Sequence, residues 1–129
     1  MMAAAQSRQI TVQVVDGIKG VPLIDQHLTV FVGETPDAVV QLKKKLQLLT
    51  NKDGMVSLVA PSAANWIQIW PDLKVLCQPD PKTKSFSVAD IVSTGVATPN
   101  TCSSLVRKAE PGQFVVFART ATLTEKLRR

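Results

Sequence analysis

Few residues in this chain are of types that do chemistry, and their neighbours decide what each can do. His27 is the only histidine. A general base needs an orienting acid and a nucleophile within reach, and no recognised motif supplies either beside it. The simpler reading is a polar residue at the start of a strand, with a small hydrolase built around His27 and an acidic loop residue as the alternative. Asp90 and Glu110 are single carboxylates in cap or loop positions, with nothing pairing them for acid–base work. Asn51 and Asp53 slightly resemble a calcium loop, but the twelve-residue ligand pattern lacks its closing bidentate Glu, so a turn is favoured. With one histidine and no Cys-x-x-Cys, the usual zinc ligand sets cannot be assembled. The expectation is a protein that is not an enzyme, with no catalytic residue, no metal and no cofactor.

Cys77 and Cys102 are the only cysteines. A disulfide between them is the leading reading, and two buried thiols in a reducing compartment are the alternative. Closing that loop would stabilise the fold by roughly 3.5 kcal/mol through loop-closure entropy. The binding candidates are Trp66, Gln68 and Trp70, which share one face of an alternating stretch with Ile67 and Ile69 on the other. Two outward tryptophans could stack sugar rings or an apolar partner surface. The competing expectation is that the segment 78–110 folds over them, forming a second small core with Phe86, Val88, Ile91 and Val92.

The elements that must position these residues are strands. Leu46 to Ala60 is the strongest local signal, two apolar stretches around Asn51-Lys52-Asp53-Gly54. Asp-Gly supplies the positive φ of a tight reversal, which predicts a β-hairpin with a bulge at Gly54. Ile10, Val12 and Val14 alternate in a first strand ended by Asp16-Gly17, and Leu28, Val30 and Val32 in a second ended by Gly33. Glu34 to Ala38, with Pro36 inside, reads as a loop. Val39 to Leu49 fits both a helical stripe and a strand, with strand preferred from Lys43 to Thr50. Further strands are expected at Trp66–Trp70, Leu73–Cys77 and Gln113–Arg119. Ser87-Val-Ala-Asp90 has capping-box spacing and predicts a short helix ending at Gly95. Thr122 or Thr124 could cap a short basic tail helix.

At 129 residues the chain is one domain's worth, and no apolar run is long enough for a membrane-spanning helix. Val, Ile and Leu dominate the apolar set, and eight prolines punctuate it, a mixture that favours strands. The net charge of +5, with clusters at Lys43–Lys45 and Lys126–Arg129, names no partner by itself. The three lysines would alternate across a strand, and no nucleic-acid motif accompanies them. Nucleic acid is thus an unfavoured partner. The N-terminus lacks the charged and apolar regions of a signal peptide, although Ala3-Ala4-Ala5-Gln6 resembles the remnant of a cleavage site.

Asp16-Gly-Ile-Lys-Gly-Val-Pro-Leu23 is similar to the opening of carboxypeptidase regulatory-like domains. Thr50-Asn-Lys-Asp-Gly54, followed by alternating Met55 to Val59, resembles their T-(D/N)-x-(D/N)-G hairpin. The strand spacing is also alike. That resemblance covers about residues 10 to 60 and implies a transthyretin-like, seven-stranded sandwich of the kind appended to exported bacterial proteins, without catalysis of its own. The long region from Pro71 to Pro111 departs from the pattern. Two active relatives fit poorly. The hydroxyisourate hydrolases use several histidines and a Tyr-Arg-Gly-Ser ending, which this chain lacks. Collagen-adhesin B repeats need Lys in the first strand and Asn in the last, and neither is present.

The expectation is therefore an all-β, seven-stranded antiparallel Ig-like or transthyretin-like β-sandwich over 10–120, with a helix-containing excursion at about 78–110. It has a disordered segment at 1–9 and a basic tail at 121–129. Its function would be that of a binding or structural module, secreted or in the periplasm or cell envelope. Protein or cell-envelope polysaccharide are the partners to consider.

Overall fold

The computed structural model describes residues 8–41, 44–81 and 84–121. In chain order its elements are β1 (Arg8–Asp16), β2 (His27–Gly33), α1 (Pro36–Val40), β3 (Lys44–Leu49), β4 (Met55–Ala60), β5 (Trp66–Pro71) and β6 (Lys74–Leu76). They continue with β7 (Phe86–Ser87), α2 (Val88–Ser93), β8 (Val96–Ala97) and β9 (Gln113–Thr120). The tail helix expected after Thr122 and most of the segment 1–9 lie outside the described residues. Arg8 and Gln9 belong to β1.

Two sheets form. One has the order β4-β1-β9-β6, with β8 also beside β9, and the other has the order β3-β2-β5-β7. Apolar side chains recurring at every second position turn inward from both. Ile10, Val12, Val14, Leu58, Phe114 and Val116 of the first sheet meet Leu28, Val30, Val32, Ile67 and Ile69 of the second in a single core. The excursion adds Val88 and Ile91 to it, and Phe86 lies against Phe114 with ring centroids 5.1 Å apart.

Four expectations are corrected. Nine strands, rather than seven, are present among the described residues, because the excursion contributes the two-residue β7 and β8. The first sheet is mixed, since β9 runs parallel to both β1 and β8. A parallel neighbour needs a long return path, and the segment 77–112 provides it by carrying the chain back to the end where β1 begins. The segment Glu34–Ala38 is partly helical. Thr35 is the N-cap, its hydroxyl accepting from the Ala38 amide at 3.1 Å, and Pro36 opens α1. A Thr-Pro-Asp start followed by the buried Val39 is a helix start, where proline's missing N–H has no cost.

The fourth correction concerns the Asp-Gly turn. Gly54 has φ +71° and the turn closes through Gly54 N–H to Asn51 O at 3.1 Å and Asn51 N–H to Met55 O at 2.9 Å. Yet β3 and β4 do not pair as a hairpin. β3 pairs with β2, and β4 pairs with β1. Thr50 is fastened to the second sheet by its N–H to Gln26 O, at 3.0 Å, while Gly54 O accepts from Val14 N–H of the first, at 2.9 Å. The turn therefore carries the chain from one layer to the other.

A second core of Val15, Cys77, Val115 and Phe117 lies on the outer face of the first sheet, covered by Ala97, Cys102, Leu105 and Ala109. These are not the residues expected for it, since Phe86, Val88, Ile91 and Val92 join the main core instead. The disulfide Cys77–Cys102 is formed, with Cα atoms 5.4 Å apart, and it clips this cover to the strand that launched it. Among the described residues no helix is long and apolar enough to cross a membrane.

Candidate recognition surface

The strand registers bring four connecting segments together at one end of the two sheets. β1, β3, β5 and β9 finish there, and β2, β4 and β6 begin there. The segments are 17–26, 50–54, 72–73 and 98–107.

Polar groups, most of them part-buried, tie these segments together. Asp16 Oδ1 accepts from the amides of Ile18 and Lys19 at 2.8 and 2.9 Å. Thr50, almost fully buried, donates its hydroxyl to Leu23 O at 2.7 Å and accepts from Gln26 N–H at 2.8 Å. Gln26 Nε2 in turn donates to Asp72 O at 2.8 Å, joining 17–26 to 72–73. From the excursion, Asn100 Nδ2 donates to Gly17 O at 2.9 Å and to Leu105 O at 2.8 Å, while its Oδ1 accepts from Cys102 N–H. Ser103 Oγ also donates to Gly17 O, and Arg107 Nη2 to Gly20 O at 2.8 Å. Backbone groups in loops are rarely left unpaired when buried, and here the pairing runs between loops.

What the loops show to solvent is apolar. Among the described residues eight large hydrophobics are exposed, and six of them are at this end: Ile18, Val21, Ile24, Leu49, Leu73 and Val106. Leu73 and Val106 stand out furthest, at 72% and 83% exposure. Around them are exposed charges of both signs, among them Lys19, Asp25, Lys52, Asp53, Asp72 and Arg107. Exposed apolar side chains and charges of both signs therefore share this end of the molecule.

His27 lies at the same end. It lines an open groove with Asp25, Gln26, Asp72, Leu73 and Lys74. Asp72 Oδ1 accepts from the Thr29 hydroxyl at 2.9 Å. No hydrogen bond joins the His27 ring to either aspartate or to a hydroxyl among the described residues. No group of three metal-ligating side chains occurs among them either.

No family model matches the chain, and neither a curated protein nor a solved structure shows significant similarity to it.

The tryptophan face is arranged differently from a bare platform. Ile67 and Ile69 point into the core, so Trp66, Gln68 and Trp70 are on the outer side of β5. Both tryptophans are half-buried and Gln68 is buried. The Gln68 amide is committed at both atoms: Oε1 accepts from Trp70 Nε1 at 3.1 Å, and Nε2 donates to Lys84 O at 2.9 Å. It fastens the excursion to the edge of β5 and fixes the Trp70 ring. Trp70 also packs against the main core. The excursion thus runs beside the tryptophans.

The exposed loop residues were missed by strand periodicity because they follow none. The available signal was local: Ile18, Val21, Ile24 and Leu73 each lie within two residues of Gly, Pro or Asp turn residues, where an apolar side chain has no core to enter.

Proposed function

We propose that this chain is a non-catalytic binding module of an exported or cell-envelope protein. In this reading it is a β-sandwich resembling the carboxypeptidase regulatory-like domains, and it offers its loop end to a protein partner. The observation that carries the proposal is the concentration of exposed Ile18, Val21, Ile24, Leu73 and Val106, with Leu49 at the end of β3, on and beside loops tied to one another by part-buried hydrogen bonds. A rigid scaffold presenting loops is a common way to build a recognition site. Preordered loops also lose little conformational entropy on binding. The mixture of charge signs at this end favours a protein over a uniformly anionic surface such as nucleic acid or acidic lipid. The disulfide favours an oxidising compartment, and the turn chemistry of Asp16–Leu23 supports the family resemblance, whereas Thr50–Gly54 keeps the turn but not the hairpin.

The test uses anilinonaphthalene sulfonate and a photo-crosslinking residue at position 106. The native protein is expected to enhance the dye's emission. The variant Ile18→Ser/Ile24→Ser/Leu73→Ser should lose most of that enhancement with an unchanged circular dichroism spectrum, since exposed substitutions alter stability little. Crosslinking in a cell-envelope extract should yield one adduct that the unlabelled native protein competes away and the triple variant does not. A native protein that leaves the dye dark, or adducts that both proteins compete equally, would remove the proposal.

A further inference from the structure

The free edge of β4 points to a second copy of this chain. Among the described residues β4 (Met55–Ala60) pairs on one side only, with β1. Its backbone polarity follows from neighbouring bonds. Val14 N–H donates to Gly54 O, and Thr11 N–H donates toward β9, to Gly112 O. Backbone groups alternate in direction along a strand, so Ile10 and Val12 spend theirs on Leu58 and Val56, their register partners. The N–H and C=O of Met55, Ser57 and Val59 must then face outward. Met55 is already satisfied by the turn, its C=O accepting from Asn51 N–H and its N–H donating to Asn51 Oδ1 at 3.1 Å. Two donors and two acceptors remain, on Ser57 and Val59.

We infer that β4 pairs antiparallel with β4 of a second molecule, about a two-fold axis at Leu58. In that register Ser57 stands opposite Val59 of the other copy, and Val59 opposite Ser57. Each is then a hydrogen-bonded pair, and all four free groups on each strand are used. A register centred on Ser57 would instead set Val59 against Met55, whose groups are spent. The side chains agree. β4 carries no ionisable residue, so self-pairing sets no like charges opposite one another, and Val59, 60% exposed, gains a neighbour. The other sheet ends differently at the edge on this side, where β3 carries the exposed Lys45, a charge of the kind that discourages edge pairing. An isologous contact of one strand pair is small compared with a permanent interface, so the dimer is a reversible one.

Sedimentation equilibrium of the disulfide-intact protein should show a monomer–dimer equilibrium, and Val59→Lys should raise the dissociation constant at least tenfold. Register is read by cysteine pairing. Cα atoms of a hydrogen-bonded antiparallel pair are about 5.5 Å apart, within disulfide range. A mixture of Ser57→Cys and Val59→Cys proteins should therefore oxidise to a covalent dimer much faster than either variant alone. A protein monomeric to millimolar concentration would overturn the inference. So would a dimer indifferent to Val59→Lys, or Ser57→Cys crosslinking to itself as fast as to Val59→Cys.

Discussion

Leu73 holds a left-handed backbone conformation, φ +64°, while leaving most of its side chain in water. For a side chain with a Cβ that conformation costs about 1–2 kcal/mol, and here no burial offsets it. Asp25, across the same groove, is also left-handed at φ +49°, although Asp tolerates this better than Leu. Under the proposed function, that strain is retained because the exposed leucine makes contact. Leu73→Asn should accordingly raise stability by up to about 1 kcal/mol, seen as a higher urea midpoint with unchanged slope, while reducing dye binding at the loop end. A lower midpoint would show that the leucine is structural. At this scale the sequence was informative where side chains follow a pattern. The alternation of Ile67 and Ile69 fixed which way Trp66 and Trp70 point. It carried no sign that Gln68 would be buried and bonded to Lys84 O, because that contact depends on where the excursion passes.

Element by element, the strands were legible from period-two alternation, and α2 from its cap: Ser87 Oγ accepts from the Asp90 amide at 3.3 Å. Strand pairing was less so. Asn51–Gly54 is a turn by local chemistry, but whether its flanking strands sit side by side or face to face depends on which other strands they find. Thr50 decides it here, through bonds to Gln26 and Leu23 more than twenty residues away. Thr50→Val keeps the shape and removes both side-chain bonds, leaving the buried Gln26 N–H and the part-buried Leu23 C=O unpaired. The expected loss is about 2–3 kcal/mol by urea denaturation. Amide exchange should accelerate at Gln26 and Thr50 more than in β1 or β9. A loss below 0.5 kcal/mol on the scale of typical surface changes would mean that the layer change is held elsewhere.

For the whole molecule, the consequential feature is that the outer face of the first sheet carries its own core, and that core also anchors the loop end. Cys77 is fully buried beneath the excursion. Thr101 next to its partner donates both its N–H and its hydroxyl to Cys77 O at 2.6 Å, and Asn100 holds Gly17 from the same turn. Two cysteines in 129 residues were enough to propose the link from sequence. That the link braces the loop end was hidden, because it rests on contacts between segments some 80 residues apart. Cys77→Ser/Cys102→Ser should leave the two-sheet core folded, since Phe114, Val116 and their partners belong to a cluster distinct from that of Cys77. It should cost roughly 3.5 kcal/mol from the loop-closure estimate, lowering Tm by about 10–15 °C in a domain of this size. Hydrogen exchange should then separate the two layers. Amides of Gly17, Thr101, Cys102 and Leu105 should lose protection first, while those of β2 and β5 keep theirs under native conditions. Uniform loss of protection across both sheets would instead make the outer core inseparable from the inner one, and the loop end could not loosen without the whole protein unfolding.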